Sequence, residues 1–129
     1  MYVFLSEEWI KAYGDEWNKN ERLLNDLKRF SARIKYLVEG NEAKDGVYIK
    51  VENGKVVETG KADEGNYDFV LRATLDNWKK LATGDMGPRA AMLTKRLKFK
   101  GSMIKAMKYM SAFEESLRLM GKIPTHWNK

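Results

Sequence analysis

The side chains that most often carry out catalysis or bind metals are scarce in this sequence of 129 residues. There is no cysteine, and the single histidine, His126, lies close to the last residue. The sequence therefore offers no thiol nucleophile, no disulfide and no thiolate ligand, and one histidine is too few for the usual zinc and iron sites. Because His126 follows Pro124 in a segment predicted to fray, a Ser-His-Asp triad is disfavoured as well. We expect no enzymatic activity, no metal and no cofactor.

The acidic and glycine-containing motifs have structural interpretations. Glu114 and Glu115 are adjacent in a predicted helix, where their side chains point about 100° apart, so they do not resemble a catalytic carboxylate pair. Asp76 precedes a short helical pattern and is predicted to be its N-cap. Residues 84–87 match the GxxG of an RNA-binding loop, but the loop carries an acid and Pro88 follows it. A nucleic-acid-binding domain is therefore a less favoured alternative.

Basic residues are concentrated in the second half of the chain. The net charge is +6, and residues 76–129 contain 12 basic and 4 acidic side chains. Residues 89–108 hold seven basic side chains and no acidic one. This basic stripe favours an anionic partner, although a solvated face explains the charge alone equally well. The side chains predicted to face an anionic membrane surface are Lys95, Arg96, Lys98, Lys100 and Lys105.

Six of the seven methionines lie between positions 86 and 120. Methionine is flexible and polarisable, so a wall rich in it can adapt to ligands of different shape. Met103, Met107 and Met110 recur at helical spacing in the last predicted helix, and Phe113 continues their stripe. An ordinary helix core explains the same spacing more simply. The extra apolar width that Ile104 adds to this stripe favours a ligand-binding wall.

Hydrophobic periodicity shows which elements must position these residues. It predicts two helices near the start of the chain, the first capped by Ser6. Period-two alternation then predicts four strands, followed by two short helices and a fifth strand. A single long helix is predicted from Met103 to Met120, with a tail after it.

The dipeptide Asn53-Gly54 predicts a two-residue hairpin, because both residues tolerate positive φ. In that register Val51 faces Val56. A series of neighbouring strands favours an α+β fold with a five-stranded, mainly antiparallel sheet. Polar residues alternate with apolar ones along most strands, so helices are expected on the drier face of the sheet.

Composition favours a globular protein, with 43% hydrophobic and 33% charged residues. No repeat or long linker divides the sequence, which predicts one domain over residues 1–129. No apolar stretch approaches the roughly 20 residues of a membrane span, and the apolar start is too short for a signal sequence. We therefore expect a soluble, cytoplasmic protein.

Residues 74–110 contain an ordered series of motifs. A strand ends in an acidic residue, and then come a short aromatic-bearing helix, a glycine-containing turn, a short helix, a basic strand ending in glycine and a Met-rich helix. These are Leu75-Asp76, Trp78, Gly84, residues 90–95, residues 97–101, and the segment from Met103 onward. In this order they resemble the sterol carrier protein family of lipid-binding domains. Residues 6–20 are similar to the opening helix of prokaryotic members, so the resemblance covers nearly the whole chain.

The resemblance implies a five-stranded sheet covered on one face by helices, with an apolar tunnel between the two layers. Such a tunnel takes a fatty acid, acyl-CoA, phospholipid or sterol, and the domain itself catalyses no reaction. The sequence ends Trp127-Asn128-Lys129 rather than in an Ala-Lys-Leu-type signal, which favours a fatty acid or phospholipid over a sterol. The residues expected to bind the ligand are Phe69, Leu71, Trp78, Leu81, Met92, Leu97, Phe99, Met103, Met107, Met110 and Phe113.

A different class of function fits the same fold. A structural or dimerising accessory module for a lipid-modifying enzyme would have a filled core in place of a tunnel. The sequence leaves the identity of the lipid and the oligomeric state open, a homodimer included.

Overall fold

The computed structural model describes residues 1–40 and 46–127, and these residues contain seven strands. Five form the main sheet, and two short ones pair near the ends of the chain. Their bounds are β1 Tyr2–Val3, β2 Ala32–Val38, β3 Val47–Glu52, β4 Lys55–Lys61, β5 Phe69–Ala73, β6 Lys98–Gly101 and β7 Thr125–His126. The polar segment from Gly40 to Gly46, which the sequence pattern predicts to be a turn between strands, lies largely outside the described residues.

The helices bury their apolar faces in one continuous core with the main sheet. Their bounds are α1 Glu7–Lys19, α2 Glu21–Asp26, α3 Leu75–Thr83, α4 Pro88–Leu93, α5 Met103–Lys108 and α6 Met110–Leu119, followed by a 3-10 turn at Met120–Lys122. In α1, Trp9, Tyr13 and Trp17 recur at helical spacing and are all fully buried. None of the helices in the described ranges has the length and hydropathy of a membrane-spanning segment.

The main sheet has the strand order β4-β3-β2-β5-β6. Three of its four pairings are antiparallel, which confirms the predicted α+β fold with a mainly antiparallel sheet. The hairpin is also as predicted, since Val51 pairs with Val56 across a turn in which Asn53 and Gly54 both have positive φ. The central pair, β2 and β5, is parallel, so the sheet is mixed.

Because β2 and β5 are parallel, the chain must cross the sheet before it enters β5. Residues 62–68 make this crossing, from the end of β4 at the sheet edge to the start of β5 beside β2. This connection passes over the face of the sheet from which Arg33 projects. The Arg33 guanidinium lies 4.5 Å from the ring centroid of Tyr67 and 5.1 Å from that of Tyr48. Cation–π contacts of this kind hold the connection on the more polar face, so the opposite face is left for the helices.

The N-cap of α3 is Thr74 and not Asp76, which corrects the sequence-based assignment. The Thr74 hydroxyl accepts a hydrogen bond from the Asn77 amide at 3.1 Å. Strand β5 ends at Ala73, so Thr74 is the residue that keeps an extended backbone while its side chain reaches back to the first turn. Asp76 lies within that turn and forms an exposed ion pair with Lys80.

The predicted long helix from Met103 to Met120 is wrong in one respect: it is interrupted at Tyr109. This residue has φ −110° and ψ 22°, so α5 ends and α6 begins on either side of it. The Tyr109 ring packs edge-on against Phe30 at 5.1 Å between centroids. Packing between these two rings accompanies the interruption, and Ala106 before it and Phe113 after it both pack in the core.

The C-terminal tail is docked and not frayed, through residue 127. Thr125–His126 forms a parallel pair with Tyr2–Val3 at the start of the chain. The Trp9 indole nitrogen donates a hydrogen bond to the Thr125 hydroxyl at 2.9 Å. The ring centroid of Trp127 lies 4.5 Å from that of Phe4. The aromatic surface that this contact buries helps to hold the tail in place.

Candidate functional site

A small cavity of about 30 Å³ lies between the main sheet and the helices. Strands β2, β5 and β6 form its floor, and α4 and α6 form its roof. Its walls carry no charged side chain. The lining residues are Ile34, Tyr36, Phe69, Leu71, Met92, Leu97, Phe99, Phe113, Ser116 and Leu117.

Aromatic packing positions the floor against the roof. Phe69 of β5 lies 5.4 Å from Phe99 of β6 and 5.5 Å from Phe113 of α6, measured between ring centroids. The antiparallel register pairs Leu71 with Phe99, which puts both side chains on the helical face. Residues at alternate strand positions thus create a continuous apolar surface beneath α6.

Two hydroxyl-bearing side chains, Tyr36 and Ser116, are the polar members of the cavity wall. The Tyr36 hydroxyl is hydrogen-bonded to that of Tyr13, which donates to the Ser116 carbonyl at 2.8 Å. The Ser116 hydroxyl donates to the Phe113 carbonyl at 2.7 Å. Each hydroxyl hydrogen therefore has a partner within the protein, and the wall is satisfied without a ligand.

Burial raises the pKa of both Tyr13 and Tyr36 above the ordinary tyrosine value, because the phenolate form is poorly solvated in this core. The unfolded chain releases these protons near pH 10, whereas the folded chain retains them. Their contribution to stability is therefore complete below about pH 10 and declines as the pH rises further.

We expect the free energy of unfolding to decrease by about 1.4 kcal/mol per pH unit above pH 10 for each of these tyrosines. Urea unfolding followed at several alkaline pH values measures this slope. Tyr36→Phe should lower the slope, although it also weakens the core at neutral pH. An unchanged slope in that variant would mean that Tyr36 titrates normally in the folded protein.

A wider depression of about 1180 Å³ opens to solvent elsewhere, next to Gly40 and Gly46. Its walls combine apolar side chains with six charged ones, which are Glu7, Glu8, Glu39, Asp76, Lys61 and Lys79. Charged side chains line this open depression, whereas none lines the small cavity between the sheet and the helices. The small apolar cavity is therefore the candidate site for an apolar ligand.

The sequence model of one family matches residues 10–114, which is most of the chain, and that family is described as the SCP-2 sterol transfer family. The chain belongs to the SCP-2 sterol transfer family. Membership in the SCP-2 family indicates lipid binding or transfer. No curated protein matches the chain.

Solved structures show the same fold at low sequence identity. A crystal structure of sterol carrier protein 2 has a TM-score of 0.81 and 19% identity, over 93% of this chain and 98% of that one. The solution structure of a Thermus thermophilus protein described as possibly a sterol carrier protein has a TM-score of 0.76 and 19% identity, over 98% and 93%. The apo form of sterol carrier protein 2 from Yarrowia lipolytica gives 0.55 and 22%, over 85% and 87%.

The structure brings together six of the residues that we expected to bind a ligand in this SCP-2 family member. They line the cavity and are Phe69, Leu71, Met92, Leu97, Phe99 and Phe113. Trp78 and Leu81 lie in the buried core outside the lining. Met110 is half-buried, also outside it.

Met103 and Met107 do not face the sheet as their spacing led us to expect. Both side chains are exposed, and Ala106 is the buried residue of α5. Ala106 takes the buried side of α5, and Met107, the next residue, lies about 100° around the helix from it. In the SCP-2 fold of this chain the methionines of α5 therefore lie outside the cavity.

Four lining residues were not expected from the sequence: Ile34, Tyr36, Ser116 and Leu117. Ile34 and Tyr36 belong to the predicted alternating strand that contains residues 34–38, so the alternation predicts that both face the same side of the sheet. Ser116 follows Phe113 by three positions, which places it on the same face of a helix. That spacing was a usable signal, but a serine does not stand out in an apolar pattern.

The basic stripe contains both paired and unpaired side chains. Lys98 forms an ion pair with Glu39, and the Arg96 guanidinium lies 3.9 Å from the sulfur of Met86. Lys95, Lys100 and Lys105 are exposed and form no ion pair with another described residue. The unpaired ammonium groups are therefore the ones available to an anionic partner.

The two adjacent glutamates of α6 hold arginines on neighbouring elements. Glu114 pairs with Arg89 of the α4 helix, and Glu115 pairs with Arg22 of α2. Glu115 also accepts a hydrogen bond from the Asn20 side chain at 3.1 Å. These contacts tie the roof of the cavity to its surroundings and give both carboxylates a structural role.

Proposed function

We propose that this protein is a single-domain, non-catalytic carrier that binds and transfers an apolar lipid between the sheet and the helices. The observation that carries the proposal is a small apolar cavity without charged walls at the sheet–helix boundary of an SCP-2 family chain. The ligand is a fatty acid, acyl-CoA, phospholipid or sterol-like molecule. A cytoplasmic location and a homodimer stay predictions that the proposal does not need.

The cavity must enlarge to take such a ligand, because about 30 Å³ is roughly the space of one water molecule. The least anchored element near it is α5, whose one buried side chain is that of Ala106. Met92 on α4 is half-buried and flexible, so it can move aside without breaking a polar contact. We infer that displacement of these two elements opens the cavity.

The energetics of such an exchange suit a carrier. Burying about 14 methylene groups of an acyl chain contributes roughly 11 kcal/mol before other terms. Association entropy and ordering remove much of this, which leaves micromolar affinity. A ligand held with that affinity can be released to a membrane, and the basic stripe would give transient contact with an anionic one.

Native mass spectrometry of the delipidated protein with added hexadecanoic acid tests the proposal. We expect a complex of one protein with one fatty acid that saturates at micromolar ligand. Hexadecane and a short, water-soluble carboxylic acid serve as controls for the apolar chain and for the headgroup alone. Failure to bind any long-chain lipid, under conditions where the protein stays folded, would favour an accessory module with a filled core.

A further inference from the structure

Exposed large hydrophobic side chains are concentrated on and near α5. Among the described residues, four of them lie within a span of fifteen positions: Leu93 at 81% exposure, Met103 at 54%, Ile104 at 86% and Met107 at 64%. The others are Val57 on β4 and the first three residues of the chain. Isolated exposed apolar side chains need no explanation, but a cluster on one short helix marks a contact surface.

The geometry of α5 turns these side chains in one direction. At 100° per residue, Met103, Met107 and Ile104 lie within an arc of about 100°, and Ala106 lies on the side that faces the core. Going around the helix from Met107 past Ile104, Lys108 comes next and Lys105 comes after it. The helix therefore has a narrow apolar face with ammonium groups along one side, a combination that suits a membrane interface.

The charge around this face selects the kind of partner. Residues 89–108 contain no acidic side chain, and Lys100, Lys105 and Lys108 form no ion pair with any other described residue. Lys105 and Lys108 are exposed, and their ammonium groups lie 5.8 Å and 5.5 Å from the ring centroids of Phe30 and Tyr109. Flexible methionines beside several unpaired cations fit the mixed acyl and phosphate boundary of an anionic bilayer.

We propose that α5 is the membrane-docking element of this protein and that it inserts Ile104, Met103 and Met107 into the outer layer of an anionic phospholipid bilayer. Lys100, Lys105 and Lys108 then contact the lipid phosphates. The inference deepens the proposed carrier function and rests on it for one point: α5 joins Phe99 to Phe113, so docking brings the cavity wall to the membrane. The docking itself does not depend on lipid uptake.

Vesicle flotation tests the proposal. One set of vesicles contains phosphatidylcholine alone, and the other contains phosphatidylcholine with phosphatidylglycerol. The native protein should bind the anionic vesicles and bind the neutral ones much more weakly. Ile104→Asp should weaken anionic binding at least about tenfold, because an apolar contact is replaced by a like-charged one. Ile104→Leu should bind as the native protein does.

Val57→Asp is the matched control, since it places the same charge at another exposed apolar position, on β4. It should leave vesicle binding unchanged. Equal losses in the two aspartate variants, or no loss in Ile104→Asp, would overturn the assignment of α5. Vesicle binding that is independent of phosphatidylglycerol would overturn it too, and would point to a partner other than an anionic bilayer.

Uptake of hexadecanoic acid by Ile104→Asp in vesicle-free solution separates this inference from the carrier function. Uptake should match that of the native protein, because Ile104 does not line the cavity. If the native protein takes up no lipid but still requires Ile104 to bind anionic vesicles, the docking surface stands and the carrier function is wrong.

Discussion

Replacing Leu71 by tryptophan will abolish uptake of a long-chain lipid at little cost in stability. Leu71 lies on β5 with its side chain in the cavity wall, opposite Phe99 in the sheet register. If the helices move to admit a lipid, the same movement admits an indole ring, which then occupies the space permanently. Forcing an extra ring into a packed core instead costs about 1–3 kcal/mol.

Thermal melts measured beside hexadecanoic acid uptake separate these outcomes. Val70→Trp is the matched control, because the preceding strand residue points to the opposite face of the sheet and does not line the cavity. It should retain uptake. A Leu71→Trp protein that melts well below the native one, from a parent that binds no lipid, would show that the cavity is a packing defect of a closed core.

Replacing Trp78 by alanine will remove about 3–5 kcal/mol of stability, which is a large share of the total of a small domain. The Trp78 side chain is fully buried, with ring centroids 5.9 Å from Phe4 and 6.2 Å from Tyr36. Its indole nitrogen donates to the Leu37 carbonyl at 2.8 Å, so truncation leaves both a void and an unpaired acceptor.

Urea unfolding monitored by circular dichroism measures this loss. Lys79→Ala, an exposed change at the next position of α3, should leave the unfolding midpoint within error. Trp78→Phe keeps most of the ring and loses the hydrogen bond, so an intermediate loss is expected. If Trp78→Ala kept native stability and lost lipid uptake, Trp78 would belong to the ligand wall, as its place in the family motif led us to expect.

The succession of the five main-sheet strands along the chain and the family could both be predicted from sequence patterns alone. The Asn53-Gly54 hairpin and its first pairs are local, because two residues with positive φ allow a tight turn that brings Val51 opposite Val56. The register shift between Lys50 and Val51 lies beyond what the turn specifies. The scarcity of catalytic side chains and the basic stripe are also properties of composition. Six of the eleven expected ligand residues line the cavity, and three of them, Phe69, Leu71 and Phe99, lie on strands, where alternation assigns a face without knowledge of neighbours.

Sequence patterns did not predict the interruption at Tyr109, the docking of the tail or the parallel pairing of β2 with β5. Each depends on residues far apart in the chain: Tyr109 packs on Phe30, and Trp9 holds Thr125. A hydrophobic period reports which side chains of one element share a face, but it does not report where the helix axis bends or which other element covers that face. For that reason the helical spacing places Met107 in the predicted ligand-binding wall, whereas its side chain is exposed to solvent in the folded chain.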